Sequence, residues 1–322
     1  MALLDIDGLS VVLPSGAAAR PILDGVSLTV ETGEVVGLVG ESGSGKSVAC
    51  RTVLGLRPAG ARTSGEVRVS GRDVLAMNRG ALKALRSGEV AMVFQDPRAS
   101  VNPVRRIGDF LTEGLRAAGV PRDRALERAG ELLAEVGIRD PRGALRRYPH
   151  EFSGGMLQRV VIAAALAGGP ALLLADEPTT ALDVTTQAEV IGILRRTQAQ
   201  HGTGMLFVTH DLELAAAICD RIYVMYAGRV VETRGARELF DAPRHPYTAG
   251  LLAAAPSLEP DATPPRPIPG RPVSLAENPP GCAFAVRCGY ATDRCRTETP
   301  RLAADDGGAV ACLRADEGIL TC

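Results

Sequence analysis

The sequence predicts a mixed α/β protein with an antiparallel side sheet and a helical insertion. Apolar segments of strand length recur without strict alternation, as expected for strands that helices bury on both faces. These segments are Glu34 to Gly40, Val90 to Gln95, Ala171 to Asp176, Met205 to His210 and Arg221 to Tyr226. The segment Gly65 to Gly71 alternates instead, which indicates a half-exposed antiparallel strand.

The middle of the chain changes to helical spacing between Ile107 and Pro149. The clearest case is RDRALERAGELLAEVGI, where one helix face is predicted to carry Leu126, Ala129, Leu132, Leu133 and Val136. This segment predicts the helical insertion. Prolines are concentrated between Pro256 and Pro280, which indicates a linker or an extended arm before a small cysteine-bearing segment.

Length, charge and hydropathy exclude several classes of protein. The 322 residues allow roughly two domains, and the net charge of -1 argues against a surface that binds nucleic acid. The opening MALLDIDGLS is acidic where a signal peptide would be basic. The most apolar stretch, Val160 to Ala175, is interrupted by Gly168 and Pro170 and is too short to cross a bilayer. We expect a protein that is soluble or is held at a membrane only by a partner.

The stretch GESGSGKS has the form of a phosphate loop. It follows a predicted strand and precedes a predicted helix, which is the context that this motif requires. Its backbone N–H groups can converge on phosphate oxygens, and the start of the helix adds partial positive charge. Lys46 is expected to reach the β- and γ-phosphates, and Ser47 to bind Mg²⁺. The alternative is a chance match in a glycine-rich turn. The predicted nucleotide-binding residues are Gly40, Ser42, Gly43, Ser44, Gly45, Lys46 and Ser47.

Acidic and basic side chains end two of the predicted strands. Asp176, at the end of ALLLAD, is placed to hold Mg²⁺ through water, and Glu177 to orient or deprotonate the attacking water. A helix N-cap would need only one acidic residue, so two consecutive acidic residues favour a catalytic role. A single His is usually structural, but His210 ends the next strand at the edge where α/β sheets bind ligands, which makes it a candidate γ-phosphate sensor.

A second Gly-Gly turn, in FSGGMLQR from Phe152 to Arg159, opens another predicted helix. This motif occurs in order with GESGSGKS, Gln95 in VFQDP, LLLADEP, Ala181-Leu182-Asp183 and FVTHD. Over about residues 1–255 the chain thereby resembles the nucleotide-binding subunit of an ABC transporter. The resemblance implies a P-loop ATPase core with an antiparallel β subdomain and a helical subdomain at about residues 96–160.

The resemblance also implies a role for each motif. Ser153, Gly154 and Gly155 would bind, in trans, the ATP held by the other subunit of a head-to-tail dimer, and Asp183 would link the two sites. Glu177 would be the general base and His210 the γ-phosphate contact. Gln95 would sense Mg²⁺ and the membrane partner. The resemblance thus assigns catalysis to Glu177, His210 and Gln95, and Mg²⁺ binding to Ser47, Gln95 and Asp176.

Further motifs resemble the ATPases of oligopeptide, dipeptide and nickel importers. They are FQDPRASVNP, HPYTAGLLAAAPSL and PPGCAFAVRCGYATDRC. The resemblance implies a nucleotide-binding domain at residues 1–256 and a Pro-rich arm with a Cys-rich extension at residues 257–322. It also implies a second ABC ATPase in a heterodimer, two transmembrane permeases and an extracytoplasmic binding protein. The chain would lie peripherally at the cytoplasmic face of the membrane and power peptide uptake, or alternatively uptake of nickel or another small solute.

The cysteines of the extension allow three explanations. Disulfides are disfavoured in a reducing cytosol, and zinc usually requires closer pairs than this spacing provides. Resemblance to cluster-containing members of the subgroup favours a [4Fe-4S] cluster, with zinc or no metal as alternatives. The predicted ligands are Cys282, Cys288, Cys295 and Cys312. Cys50 and Cys219 are expected to be buried apolar residues and Cys322 to be a bystander.

Two other functions and one departure from the family pattern accompany this interpretation. An ABC-type ATPase of nucleic-acid maintenance would separate the phosphate loop from the signature turn by a long insertion, which this chain lacks. An independent redox module in the extension is the other alternative. Leu13 occupies the position where the family commonly stacks an aromatic ring on adenine, so strict adenine selectivity is not predicted.

Overall fold

A computed structural model of the chain describes residues 2–15, 18–180, 182–255, 264–277 and 280–320. The strands are β1 (Leu4–Ser15), β2 (Ala18–Val30), β3 (Val35–Val39), β4 (Arg62–Val69), β5 (Arg72–Asp73), β6 (Val90–Val93), β7 (Leu172–Asp176), β8 (Gly204–Thr209), β9 (Arg221–Tyr226), β10 (Arg229–Gly235), β11 (Ala303–Asp305) and β12 (Gly308–Val310). The helices are α1 (Lys46–Thr52), α2 (Arg79–Gly88), α3 (Pro97–Ser100), α4 (Ile107–Ala117), α5 (Arg122–Glu135), α6 (Pro141–Ala144), α7 (Gly154–Leu166), α8 (Val184–His201), α9 (Leu212–Ile218), α10 (Ala236–Asp241), α11 (Pro246–Ala254) and α12 (Asp293–Thr297).

The chain divides into two compact units. The first contains residues 1–3, 30–34 and 76–206, and the second contains residues 4–29, 35–75 and 207–322. Strand β8 begins in the first unit and ends in the second. The predicted domain boundary at residue 256 lies outside the described residues and stays a prediction.

The second unit contains two sheets. In the antiparallel sheet the strand order is β2-β1-β4-β5, which confirms the antiparallel strand predicted from Gly65 to Gly71. In the other sheet β3 pairs with β9 in parallel, and β10 and β12 continue it in antiparallel order to β11. Strand β3 is buried along its whole length, as its unbroken apolar sequence predicts. The cysteine-bearing extension therefore adds β12 and β11 to this sheet.

The first unit contains the predicted helical insertion. The insertion is built from helices α3 to α7. The parallel strands β6 and β7 precede and follow these helices in the chain. The apolar face of α5 is buried at Ala129, Leu132 and Leu133 as predicted, and Val136 just beyond the helix is buried too. Leu126 is only half-buried, and Ala125 takes the buried position one residue earlier. A smaller side chain at that turn allows close packing of the helix.

The described helices include none that is both long and apolar enough to cross a lipid bilayer. The interrupted stretch Val160 to Ala175 forms the end of α7, a turn and most of β7. Cys50 and Cys219 are buried, as predicted for apolar residues. Cys322 lies outside the described residues, as do Ala181 and the proline-rich residues 256–263 and 278–279.

Candidate nucleotide site

The predicted site residues fall into the two units. The phosphate loop and His210 belong to the second unit, whereas the acidic residues, Gln95 and the signature turn belong to the first.

The phosphate loop connects β3 to α1 and is held in place by close backbone contacts. A Cβ atom at Gly40, where φ is 157°, would lie 2.2 Å from the Met225 carbonyl oxygen, so only glycine fits there. The Gly228 N–H donates to the Ser44 carbonyl at 3.0 Å. At the tip of the loop, Ser42 and Gly43 are exposed. The base of the loop is therefore fixed while its tip is open to a ligand.

Lys46 is buried at the first position of α1. Its Nζ donates to the Gly40 carbonyl at 2.6 Å and to the Glu41 carbonyl at 3.0 Å. Ser44 Oγ is buried and has no hydrogen-bond partner among the described residues, although such groups are usually paired. An ammonium group and a buried hydroxyl without a partner fit a phosphate ligand in this loop. Ser47 is half-buried in the first turn of α1, and His210 is exposed directly after β8.

The acidic pair lies at the end of β7, where Asp176 is fully buried. Glu177 has a φ of 48°, a conformation that residues with side chains rarely adopt. Its Oε2 accepts hydrogen bonds from Gln95 Nε2 at 3.1 Å and from the Thr180 hydroxyl at 2.8 Å. The structure thus brings Gln95 and Glu177, which the sequence marks separately, into direct contact.

The signature turn forms the start of α7. Ser153 is the N-cap, and its Oγ accepts from the Met156 N–H at 3.3 Å. The amides of Gly154 and Gly155 lie in the first helical turn, where an α-helix supplies no carbonyl partner. The Ser153 side chain is exposed. This helix start therefore presents N–H groups and a hydroxyl that suit an anion.

Asp183 occupies the equivalent position at the start of α8. Its carboxylate accepts from the Thr186 N–H at 3.0 Å and from the Thr186 hydroxyl at 2.6 Å. The hydroxyl hydrogen bond lowers the pKa of Asp183. Thr186 also contacts the signature turn, because a Cβ added to Gly155 would lie 2.3 Å from Thr186 Cγ2. Thr186, which sequence inspection missed, thereby connects Asp183 to the signature glycines.

The four predicted metal ligands of the extension line one pocket. It is formed by Cys282, Cys288, Cys295 and Cys312, together with His245, Phe284 and their neighbours, and its free volume is about 20 Å³. That volume admits about one water molecule. Burial raises the pKa of Cys282 to about 11 and also raises that of Cys288 and of Cys312.

The structure does not support the predicted [4Fe-4S] cluster. Within the described residues no group of three or more His, Cys, Asp or Glu side chains is arranged to hold a metal ion. Four cysteine thiols are nevertheless a donor set that suits a cluster chemically. The four thiols share a pocket, as the sequence predicted, without forming a ligand cage.

Fold and motifs together are those of an ATP-binding cassette. The family model "ABC transporter" matches residues 23–180, and the model "Oligopeptide/dipeptide transporter, C-terminal region" matches residues 231–295. A Brucella melitensis protein named as a peptide import ATP-binding protein is 46% identical over 316 residues, which cover 94% of this chain and 93% of that protein. The chain therefore belongs to the ATP-binding proteins of the ABC transporter family.

Two further comparisons agree with that assignment. The dipeptide transport ATP-binding protein DppD of Escherichia coli is 45% identical over 304 residues, which cover 94% of this chain and 93% of that protein. The solved structure of the ATP-binding cassette MJ0796, a dimer bound to ADP and Pi, is 26% identical with a TM-score of 0.65. The alignment covers 73% of this chain and 99% of the MJ0796 chain. The cassette fold predicted from the sequence is confirmed.

Proposed function

We propose that this chain is the ATP-hydrolysing subunit of an importer for dipeptides or oligopeptides. The observation that carries the proposal is the match to peptide-import proteins over nearly the whole chain, including the C-terminal region. The partners would be two transmembrane permeases, an extracytoplasmic binding protein and a second ATPase, with which the chain forms a heterodimer. The assembly would place the chain peripherally at the cytoplasmic face of the membrane.

ATP would bind with its phosphates in the loop from Gly40 to Ser47. Lys46 is already desolvated and would exchange its carbonyl partners for phosphate oxygens, which offer a stronger charge-assisted contact. Ser47, Asp176 and Gln95 would hold Mg²⁺, which neutralises charge on the β- and γ-phosphates. His210 would contact the γ-phosphate.

Glu177 would act as the general base toward the attacking water. Its unusual backbone conformation supports this role, because such strain is retained mainly where function requires it. The hydrogen bond from Gln95 reaches one carboxylate oxygen and leaves other lone pairs of Glu177 for water, so Mg²⁺ binding by Gln95 would alter the contacts of the base. Gln95 would thereby couple Mg²⁺ binding to activation of the base.

The signature turn would complete the site of the partner ATPase. Ser153 Oγ and the amides of Gly154 and Gly155 would bind the γ-phosphate that the partner presents, using the same helix-start electrostatics as the phosphate loop. Asp183 would transmit this contact, since Thr186 joins it to Gly155. Each ATP would then be enclosed by two chains, and hydrolysis would separate them.

Substitution of the base tests this mechanism. In the assembled transporter, Glu177→Gln is expected to bind ATP but to reduce its hydrolysis by at least about 100-fold, since general-base catalysis contributes that much. The matched control is Glu127→Gln, which alters an exposed carboxylate on α5 paired with Arg124. Normal hydrolysis by Glu177→Gln, measured as phosphate release, would contradict the assignment. Proteoliposomes that contain the transporter are also assayed for uptake of labelled dipeptide and, separately, for uptake of Ni²⁺. The comparison of the two uptake rates tests the substrate class.

We also propose, from the four cysteines that line one pocket, that this pocket holds a [4Fe-4S] cluster. The four cysteines would bind it as thiolates, so loading would release the protons that their thiols carry. Anaerobically purified protein should show broad absorption near 400 nm with matching iron and sulfide content. Stoichiometric zinc, or no metal at all, would each overturn the cluster without affecting the ATPase assignment.

A further inference from the structure

One largely buried ion pair joins the C-terminal extension to the phosphate loop. Arg287 Nη1 donates to Glu41 Oε2 at 2.6 Å, and Arg287 Nη2 donates to Glu41 Oε1 at 3.0 Å. Two parallel hydrogen bonds of this kind fix geometry as well as charge. The Arg287 side chain is 3% exposed and that of Glu41 24%. A residue next to a cysteine of the extension is thus bound to a residue inside the nucleotide motif.

Arg287 is held by contacts from the extension and from β9. Its Nε donates to the Pro269 carbonyl at 2.8 Å. Its guanidinium carbon lies 5.8 Å from the centroid of the Tyr226 ring and 5.9 Å from that of Phe284, within cation–π range. Phe284 lines the four-cysteine pocket, as does Cys288, which follows Arg287 in the chain. A guanidinium fixed on several sides can hold its carboxylate partner in one place.

Glu41 is held in the loop by its backbone as well as by its carboxylate. Its N–H donates to the hydroxyl oxygen of Tyr247 at 2.8 Å, and its carbonyl accepts from Lys46 Nζ at 3.0 Å. The orientation of Glu41 therefore sets the position of one of the two carbonyl oxygens that accept hydrogen bonds from Lys46. A loop ordered in advance avoids an entropy cost when its ligand binds.

We infer that Arg287 is a positioning residue for ATP binding, which holds Glu41 and the phosphate loop in the conformation that receives the triphosphate. Through this contact the C-terminal extension supports the nucleotide site. The affinity for ATP therefore depends on whether the extension is folded in place. The inference rests on the proposed ATP-binding role of the loop and adds to it a residue outside the nucleotide motifs.

The same extension offers a matched control. Arg271 makes a comparable two-bond contact with Glu277, at 2.9 and 2.8 Å, but both side chains are exposed and both belong to the extension. Arg271→Met and Glu277→Gln thus remove an equivalent ion pair that does not touch the loop. Any effect of losing an exposed ion pair of the extension will appear in these variants, and the Tm of each variant reports the cost of losing the buried pair.

The test measures ATP binding by the purified full chain in the presence of Mg²⁺, using calorimetric titration. Arg287→Met and Glu41→Gln are each expected to raise the Kd for ATP about tenfold, which corresponds to about 1.4 kcal/mol. The double variant should resemble either single variant, because both remove the same contact. In the assembled transporter the KM for ATP should rise while kcat changes little. Arg271→Met and Glu277→Gln should leave the Kd unchanged.

Arg287→Lys guards against failure to fold, since it keeps the charge and one hydrogen bond and should give an intermediate Kd. If Arg287→Met and Arg287→Lys lower Tm but bind ATP as the unaltered chain does, the pair is merely structural and the inference is wrong. Additive effects of the Arg287 and Glu41 substitutions would also overturn it. Failure of the unaltered chain to bind ATP would instead contradict the proposed function.

Discussion

The two glycines at the start of α7 meet different surroundings. A Cβ at Gly154 would have no atom within 4 Å, whereas a Cβ at Gly155 would lie 2.3 Å from Thr186 Cγ2. Thr186 cannot turn away easily, because its hydroxyl is bound to Asp183. Gly155→Ala is therefore expected to lower the free energy of unfolding by about 1–3 kcal/mol, as overpacking usually does. Urea denaturation measures the change.

Gly154→Ala is the control for that prediction. It should leave stability nearly unchanged and reduce only ATP-driven pairing of chains, since it narrows the approach to the helix start. Combining Gly155→Ala with Thr186→Ser removes the clashing methyl group and should restore much of the lost stability. Equal destabilisation by Gly154→Ala and Gly155→Ala would show that contact with Thr186 is not the cause.

His245 predicts a pH dependence of stability. Burial lowers the pKa of His245 to about 4, and its Nδ1 accepts from the Tyr247 N–H at 3.0 Å. An unfolded histidine titrates near 6.5, so between these values only the unfolded chain carries the extra proton. Stability should fall as the pH drops from about 6.5 toward 4, by at most about 1.4 kcal/mol per pH unit.

The measurement compares the unaltered chain with His245→Asn across this pH range. Asparagine can still cap α11 but does not titrate, so the slope should be shallower in the variant. Glu232 accepts from the His245 N–H at 3.0 Å, and burial raises the pKa of Glu232, but this carboxyl is present in both proteins and cancels in the difference. Parallel pH profiles would refute the role of His245.

Residues with local sequence signals could be predicted, and residues that act through the fold could not. Lys46 is marked by its motif, and the structure leaves its ammonium in the expected loop. The contact between Glu41 and Arg287 joins positions 246 residues apart, and nothing near either residue indicates the other. Thr186 could not be predicted for the same reason, since its role depends on the spatial proximity of α7 and α8.

At the level of elements, strand β11 is joined to β10 by a compact charge cluster. Asp305 Oδ2 accepts from Arg234 Nη2 at 2.8 Å and lies 3.2 Å from Arg244 Nε. Asp305 and Arg234 are only 12% and 9% exposed, so solvent screens the pair weakly. Asp305→Asn should lower the free energy of unfolding by about 1–3 kcal/mol, because it leaves a buried guanidinium without its counterion.

Thermal and urea unfolding of Asp305→Asn measure this loss. The neighbouring Asp306→Asn is a matched control, since the Asp306 side chain is exposed and only its backbone carbonyl accepts from Arg234. Equal stability of the two variants would mean that the cluster does not hold β11 against the sheet.

Buried elements were predictable, whereas the elements of the extension were not. Strand β3 is apolar throughout, β7 is apolar up to Asp176 at its end, and both are fully buried, so their sequences alone mark them. Strands β11 and β12 are short segments rich in alanine and glycine, which carry little apolar signal. They form because β10 offers them an open edge, and that is a property of the folded sheet.

For the whole molecule, these contacts bear on whether the extension is a separable module. The sequence predicted a cysteine-bearing tail beyond a proline-rich linker, and an independent redox module was one alternative. The described residues of the range 207–322 belong to one compact unit that also contains the phosphate loop. Phe284 packs against Tyr226 and Tyr247, with ring centroids 5.3 and 5.4 Å apart. The extension thus shares its core with the nucleotide-binding half.

Truncation after Ala255 is accordingly expected to damage the protein beyond loss of the cysteines. It would expose the edge of β10, uncover the Tyr226 and Tyr247 rings and leave Glu41 without Arg287. An unpaired strand edge promotes association, so the truncated chain should aggregate at concentrations where the full chain stays monodisperse. Its Tm should fall by more than that of any single variant described above.

The control for truncation is a full-length chain in which all four pocket cysteines are replaced by serine. Serine removes metal and redox chemistry but keeps β12, Arg287 and Phe284 in place, so this chain should stay soluble and bind ATP more tightly than the truncated one. Light scattering and calorimetric titration compare the two proteins. If the truncated chain proved as stable as the full chain and bound ATP equally well, the extension would be a tethered module after all, because a shared core cannot be removed without exposing apolar surface.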